Sequence, residues 1–303
     1  MSHEQTNQIF ISNDQFDREL CLDKDGFTSA ETGEKSRALM IEADGAATQV
    51  WQHKQGNALS EYQDSHVQEQ ISPTTHAIYK LFGAYIGANL HGPYEKAAPN
   101  ILDVGCGIGR RRPLYMRRLS ENVNYFGMDA FDINPDRDYP FICARLETLG
   151  QVEAFHNTFD AFIFGTSLDH FENLDEVADA VCKLGARDAI VVFWIGLHDA
   201  SHVAADEGAL AFRKIFDGAG LLTVVQRFLR FALWRFPRMA YVLQRRQAKL
   251  NRGESLDDLH FWYFTEKDLP RVLGRFGEIT DISMLPGTNS VFATCRVNAG
   301  DPA

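Results

Sequence analysis

Apolar positions recur at helical spacing after Pro73. Ile78, Leu81, Phe82, Tyr85, Ile86 and Leu90 form one stripe, Thr74 or Thr75 can cap it, and Gly92-Pro93 ends it. From residue 100 the pattern changes to short, nearly continuous apolar runs. Asn100–Asp103, Val123–Asp129, Pro140–Ala144, Phe159–Gly165 and Ala189–Ile195 predict five strands. A helix is predicted after Gly109, carrying Arg110, Arg111, Arg112, Arg117 and Arg118 around Leu114, Tyr115, Met116 and Leu119. The stretch from Phe131 to Tyr139 contains Asn134-Pro135 and reads as a loop. Asn173 with Glu176 three positions on has the capping-box spacing, and the helix it opens stops at Gly185. Thr265–Phe276 reads as a last helix. Ile279–Leu285 and Ser290–Val297 read as an antiparallel hairpin about Pro286-Gly287-Thr288-Asn289.

Strands that are apolar on both faces and alternate with helices indicate a parallel sheet covered on both sides. The expected fold is therefore α/β: a doubly wound, mostly parallel sheet with an antiparallel C-terminal hairpin. Residues 196–258 interrupt the alternation and predict a helical insertion before the last helix. Residues 1–72 are polar and weakly periodic, with short alternating pieces near Phe27 and Ala38–Ile41 that could pair as a small hairpin. They read as a small N-terminal cap, and 73–303 as the main domain.

Charge narrows the function. The formal net charge of -11 disfavours phosphate backbones, so no nucleic-acid partner is expected. Five scattered cysteines without a CxxC pair argue against disulfides and structural zinc, and fit a reducing, cytoplasmic compartment. The polar, acidic N-terminal stretch shows no signal peptide, and no run of about 18 apolar residues predicts a spanning helix.

Ligands of doubly wound sheets sit at the carboxyl ends of strands, near the switch point in strand order. Four such ends carry chemistry here. The first is Asp103-Val104-Gly105-Cys106-Gly107-Ile108-Gly109, a loop that lets a ligand lie against bare backbone. The others are Asp129-Ala130, Ala144-Arg145-Leu146-Glu147 and Gly165-Thr166-Ser167-Leu168-Asp169-His170. Arg110 stands where a dinucleotide fingerprint wants its third glycine.

Together these motifs resemble the class I S-adenosylmethionine-dependent methyltransferases. Asp103 to Gly109 is similar to the family's glycine motif. Tyr125-Phe126-Gly127-Met128-Asp129 is similar to its second strand, Leu168-Asp169-His170-Phe171 to the element after its fourth, and Phe264-Thr265-Glu266-Lys267-Asp268-Leu269 to the start of its last helix. The resemblance covers about residues 98–195 and 260–297. It implies a seven-stranded sheet with the last strand antiparallel and S-adenosyl-L-methionine as cofactor. It also implies contacts from Asp103, Gly105, Cys106, Gly107 and Gly109, with Asp129 and Ala130 at the ribose. Leu146 and Glu147 would meet the adenine, and Gly165 and Thr166 the methionine end. Arg145 departs from the family by standing near the place where many members carry an acid.

The acceptor is expected to be a small molecule methylated on oxygen, of a sugar or glycolipid type. An alcohol profits from a general base; Asp169, His170, His198, His202 and His260 are candidates, and His170 and His260 are the expected pair. His198 and His202 are four apart beside Asp199, but no metal site is expected. The insertion should carry specificity. From Gly218 to Gly253 it has no acid and eight bases, interleaved with Phe228, Phe231, Trp234, Phe236 and Tyr241. Pro237 starts a second helix or kinks the first. One reading is a lid that, through 221–252, meets an anionic membrane surface, peripheral at the inner face, or a phosphorylated or lipid-linked substrate, so that the acceptor is a membrane-associated, lipid-like precursor; the other is a helical hairpin with solvated arginines. Beyond methyl transfer, the alternative is a non-catalytic binding protein on the same fold.

Overall fold

A computed structural model of the chain describes residues 8–11, 20–29, 35–41, 73–90, 98–107, 109–119, 123–130, 137–199, 201–204, 211, 214–216, 220–254, 256 and 260–297. The strands are β1 (Gln8–Ile11), β2 (Leu20–Asp23), β3 (Gly26–Ser29), β4 (Lys35–Ser36), β5 (Ala38–Ile41), β6 (Asn100–Val104), β7 (Asn124–Asp129), β8 (Phe141–Cys143), β9 (Phe159–Gly165), β10 (Gly185–Gly196), β11 (Glu278–Met284) and β12 (Ser290–Arg296). The main sheet has nine strands in the order β1-β5-β8-β7-β6-β9-β10-β12-β11. The last seven of these, from β8 to β11, are the expected doubly wound sheet. β12 runs antiparallel between β10 and β11, and the pairs from β8 to β10 are parallel.

The helices are α1 (Pro73–Leu90), α2 (Leu146–Leu149), α3 (Leu174–Leu184), α4 (Leu221–Arg230), α5 (Phe236–Asn251) and α6 (Leu269–Leu273). Alternation along β6 and β7 builds two cores. Leu102, Val104, Phe126 and Met128 face the layer of α3 and α6; Ile101 and Tyr125 face α1 through Phe82, Ile86 and Leu90. Asp103 falls on the α1 side of that alternation and is 0% exposed. α1 passes close over this face at Gly83, where a Cβ would lie 2.5 Å from the Tyr115 carbonyl oxygen.

Three expectations are corrected. Ala38–Ile41 does not make a hairpin with Phe27. β5 pairs in parallel with β8, and β1 pairs in parallel with β5, so part of the expected cap extends the main sheet. Its alternation explains this: Leu39 and Ile41 are buried, and β8 alone would leave a parallel edge open. Phe27 instead lies in a separate sheet, β2-β3-β4, and packs edge-on against Phe155.

Second, Arg110 to Leu119 forms turns and one 3₁₀ turn, Met116–Arg118, in place of the predicted helix. Pro113 keeps Arg112 out of helical geometry, and clustered arginines oppose the positive end of a helix dipole. The Pro113 carbonyl accepts from Met116 and Arg117 at 2.9 and 3.2 Å.

Third, the last helix is short. A capping box between Thr265 and Asp268 opens a 3₁₀ turn that leads into α6. By contrast, α3 follows its predicted signals. Asn173 accepts from the Asp175 and Glu176 N–H groups, and its amide reaches Glu176 at 2.8 Å.

Candidate active site

β6 pairs with β7 on one side and β9 on the other, so the strand order reverses at β6, and doubly wound sheets take their ligands beyond the carboxyl ends at such a reversal. The glycine loop leaves β6 here. Gly105 and Gly107 have φ +72 and +78, a backbone region that costs a side-chain-bearing residue strain. A Cβ on Gly105 would stand 2.5 Å from the Ser167 Cβ. Ser167, at the end of β9, in turn donates to the Val104 carbonyl at 2.5 Å. The two strand ends therefore touch through a bare backbone and a hydroxyl. The N–H groups of Gly105 and Cys106 both point back to the Met128 carbonyl, at 2.8 and 3.0 Å.

The Gly107 N–H instead points to the Asp129 carboxylate at 3.1 Å. Ala130 and its neighbour close the next edge: the Asp129 carbonyl accepts from Ala144, and Ala130 lies over the Cys143 thiol. Leu146 starts α2, so its N–H has no partner within the helix, and its side chain is buried. Arg145 forms an ion pair with Glu147 at 3.0 Å.

Asp103 lies beneath the loop. Its carboxylate accepts from Tyr115 and Tyr125 hydroxyls at 3.0 and 2.8 Å. Burial lifts its carboxyl to about 7, and the Asp129 charge adds to the lift, against the two tyrosine hydrogen bonds that pull it down. Tyr115 stacks on Tyr79 of α1 at 5.8 Å, and a Cβ on Gly165 would stand 2.7 Å from its hydroxyl. Thr166 has φ +65 and is exposed at the same edge. Cys106 is buried beside Tyr139, and burial pushes its thiol well up, as does the Asp103 charge.

The loop is also held by Arg137, from the stretch whose sequence predicts a loop. Arg137 is buried and donates through Nη1 to the carbonyls of Gly107 and Gly109 at 3.0 Å each, and to the Tyr139 hydroxyl at 2.7 Å. Its guanidinium lies 3.7 Å from the centroid of the Phe141 ring. No motif in the sequence points to Tyr79, Tyr115 or Arg137, whereas Ser167 lies in a strand-end segment that the sequence singles out and Tyr125, two positions after Val123, falls on the Asp103 face of the next strand.

Beyond β9 a second cluster forms. The Asp169 carboxylate stands 3.8 Å from His170 Nε2 and 3.6 Å from His260 Nε2. The Asp169 carbonyl also accepts from Phe261 N at 2.8 Å, which ties the His260 segment to this turn. The two rings lie 4.9 Å apart. His198, at the end of β10, brings its ring within 5.8 Å of His260 and 5.2 Å of Tyr263. The structure therefore brings His170 and His260 together, although ninety residues separate them. It parts His198 from His202, which turns to Glu266 at 3.3 Å. The spacing of four meant little because His198 precedes the short helical turn that holds His202. Asp169, His170 and His260 could also hold a metal ion, since their ligand atoms lie within 4.8 Å of one another.

The described part of the insertion is a helical run that meets this end through the Arg246–His198 hydrogen bond. α4 and α5 join through a π-helical turn, Phe231–Arg235, and Pro237 sits at the start of α5 as expected. No residue of α4, this turn or α5 is buried. Leu221 is 82% exposed, Leu222 74%, Leu233 69% and Trp234 66%. No helix among the described residues is long and apolar enough to cross a membrane.

No family model matches the chain, and no curated protein is significantly similar to it. Among solved structures, the chain is similar to the Burkholderia thailandensis 1,6-didemethyltoxoflavin-N1-methyltransferase, bound to 1,6-didemethyltoxoflavin and S-adenosylhomocysteine. The match has 15% identity and a TM-score of 0.48 over 92% of this chain and 99% of that one. A second is the magnesium protoporphyrin IX methyltransferase of Synechocystis PCC 6803 with bound S-adenosylhomocysteine, at 13% identity and a TM-score of 0.43 over 83% and 100%. A third is the N-methyltransferase NodS of Bradyrhizobium japonicum, at 12% identity and a TM-score of 0.35 over 73% and 93%. The likeness is distant in sequence and in geometry, and it neither assigns the chain to a family nor identifies a substrate.

Proposed function

We propose that this protein is a small-molecule methyltransferase that uses S-adenosylmethionine to methylate a hydroxyl, on an acceptor of sugar or glycolipid type. One observation carries the reading. The loop from Gly105 to Gly109 meets Asp129 through Gly107, and the Asp169–His170–His260 cluster lies just past the neighbouring strand end.

What supports the cofactor assignment is the bare backbone of Gly105, where a Cβ would collide with Ser167, so that the loop lies directly against the end of β9. The backbone of Gly105 to Gly109, with Cys106, would pass beside the methionine moiety. Asp129, with Ala130, would take the ribose hydroxyls. The Leu146 N–H and Glu147 would meet the adenine. Gly165 and Thr166 would line the methionine end. Asp103 would act through the Tyr115 hydroxyl that it holds. When bound, the cofactor supplies a methyl group on a sulfonium.

Transfer forms a carbon–oxygen bond as the carbon–sulfur bond breaks, and the acceptor hydroxyl must lose its proton. His260 or His170 removes it. The Asp169 carboxylate orients both rings and stabilises the imidazolium that results. Each base is within reach of the same carboxylate, so one His is the base and the other a hydrogen-bonding partner of the acceptor.

Calorimetry with S-adenosylmethionine and S-adenosylhomocysteine tests the cofactor. Absence of binding at millimolar ligand would sink the methyltransferase reading. A protein that binds both ligands but transfers no methyl group to any alcohol acceptor supports the non-catalytic alternative. A second reading concerns location. The exposed apolar residues of α4 and the π-helical turn, set among arginines, favour peripheral contact with an anionic membrane and a lipid-linked acceptor. The protein then works in the cytoplasm, at the inner membrane face.

A further inference from the structure

Two histidines converge on one buried carboxylate. Asp169 and His170 lie on the 3₁₀ turn after β9, Leu168–His170, and His260 arrives from beyond the insertion. The two segments are tied to each other independently of these side chains. The Asp169 carbonyl accepts from Phe261 N and Trp262 N at 2.8 and 3.3 Å, and the Trp262 indole donates to the Phe171 carbonyl at 2.8 Å.

The carboxylate oxygens stand 3.8 Å from His170 Nε2 and 3.6 Å from His260 Nε2. Both separations exceed the N–H···O range of about 2.7–3.2 Å. They approach the edge of a tetrahedral metal shell, where bonds of about 2.0–2.2 Å set neighbouring ligand atoms roughly 3.3–3.6 Å apart. One ligand atom from each of the three residues lies within 4.8 Å of the others, so small rotations of the rings close the shell. A single proton transfer uses one histidine; two imidazoles and a carboxylate together are what a metal ion uses. This set suits a divalent transition-metal ion, whereas magnesium and calcium prefer oxygen ligands. Three protein ligands leave a coordination position open. The two histidine side chains are 26% and 24% exposed, so an ion can enter from solvent.

We propose that Asp169, His170 and His260 bind a divalent transition-metal ion of the zinc type, with the open position for the acceptor oxygen. The site stands on the geometry; its role rests on the proposed methyl transfer. There the ion takes the acceptor hydroxyl as its fourth ligand and lowers its pKa. The proton passes to water, the oxygen lone pair forms the bond to the methyl carbon, and the carbon–sulfur pair returns to sulfur. With the ion bound, both histidines give their lone pairs to the metal. The ion then replaces the histidine base of the metal-free protein.

The test uses the full chain stripped of metal with a chelator. Zinc is titrated by calorimetry, and the loaded protein is studied by zinc-edge X-ray absorption. The expected result is saturable uptake of one ion per chain, with nitrogen and oxygen ligands at about 2.0–2.2 Å and two imidazoles among them. A sulfur shell at about 2.3 Å would place the ion on a cysteine such as the exposed Cys182 and overturn the proposal, as would no saturable uptake. His170→Ala and His260→Ala each weaken zinc by about tenfold or more, since disturbing even an outer contact of a metal ligand costs that much. His202→Ala, whose ring meets Glu266, leaves zinc affinity unchanged. Wild-type affinity in both cluster variants overturns the assignment. Thermal melting checks the fold of each variant, and X-ray absorption on the unaltered chain decides where a variant does not fold. Affinity for S-adenosylhomocysteine is measured on the same samples. Its absence counts against methyl transfer and leaves the metal site standing, whereas failure to bind zinc leaves the histidine base standing.

Discussion

Asp129 accepts the backbone N–H of Gly107 at 3.1 Å, so the acid at the end of β7 is joined to the middle of the glycine loop from β6. The same carboxylate is the group proposed to take the ribose. Asp129→Ala removes both contacts. A charged hydrogen bond contributes about 1.5–3 kcal/mol, so affinity for S-adenosylhomocysteine should fall about 10- to 150-fold. Asp129→Asn should fall between, because the amide keeps an acceptor but loses the charge. Wild-type affinity in Asp129→Ala would falsify the ribose assignment.

Gly105→Ala should be poorly tolerated. The φ of +72 strains any side chain, and the new Cβ meets Ser167 at 2.5 Å. Together these cost about 2–4 kcal/mol. Thermal melting should drop by several degrees, and the double variant with Ser167→Gly should recover only the part due to collision. Full recovery would show that φ is not a constraint here.

Asp103 predicts a pH effect. Its carboxyl is lifted to about 7 in the native protein, chiefly by burial, from an ordinary 3.8. Between about pH 4 and pH 7 the unfolded chain has released this proton and the native protein still holds it. Stability from this group therefore falls as pH rises through that window and levels off above it, by a few kcal/mol on the order-of-magnitude scale. Asp103→Asn removes that slope. Relative to wild type, the variant should melt progressively higher as pH rises from about 4 to 7. A constant offset across that range would mean that Asp103 is ionised in the native protein throughout.

Arg137 should matter to cofactor affinity without touching the cofactor. Its guanidinium holds the Gly107 and Gly109 carbonyls together and lies on Phe141. Lysine cannot span both carbonyls and stack in the same way. Arg137→Lys should weaken S-adenosylhomocysteine by about tenfold while the protein stays folded. If the melting point drops and the affinity does not, Arg137 serves packing alone.

The helical run of α4 and α5 gives a salt-sensitive expectation. Vesicles of anionic lipid should carry the protein in flotation at low salt, and neutral vesicles should not. Leu222→Glu with Trp234→Glu, both highly exposed, should abolish flotation and leave the fold intact. Binding that is equal on neutral lipid would exclude the electrostatic part of the reading.

What was readable in the chain was local in origin. Periodicity and turn residues located the strands β6 to β12, α1 and α3. Pro237 marked the start of α5, and the glycine loop was visible because backbone with positive φ demands glycine at fixed spacing. The loop, Asp129 and the strand-end segments lay at element ends, so an order of elements sufficed to bring them to one edge. Tertiary structure decided what depended on contact between distant segments. β5 went to the edge of β8 because only the assembled sheet has an edge to cover. The helix expected after Gly109 yielded to Pro113 and to the tyrosines that Asp103 draws in. Arg137 reached the loop from a stretch without periodicity. His260 met Asp169, and Arg246 met His198, only because the fold brings segments distant in sequence to the same strand ends. Spacing along a chain encodes which face a residue takes within its own element; which other element meets that face is set by how the assembled layers bury their apolar surfaces.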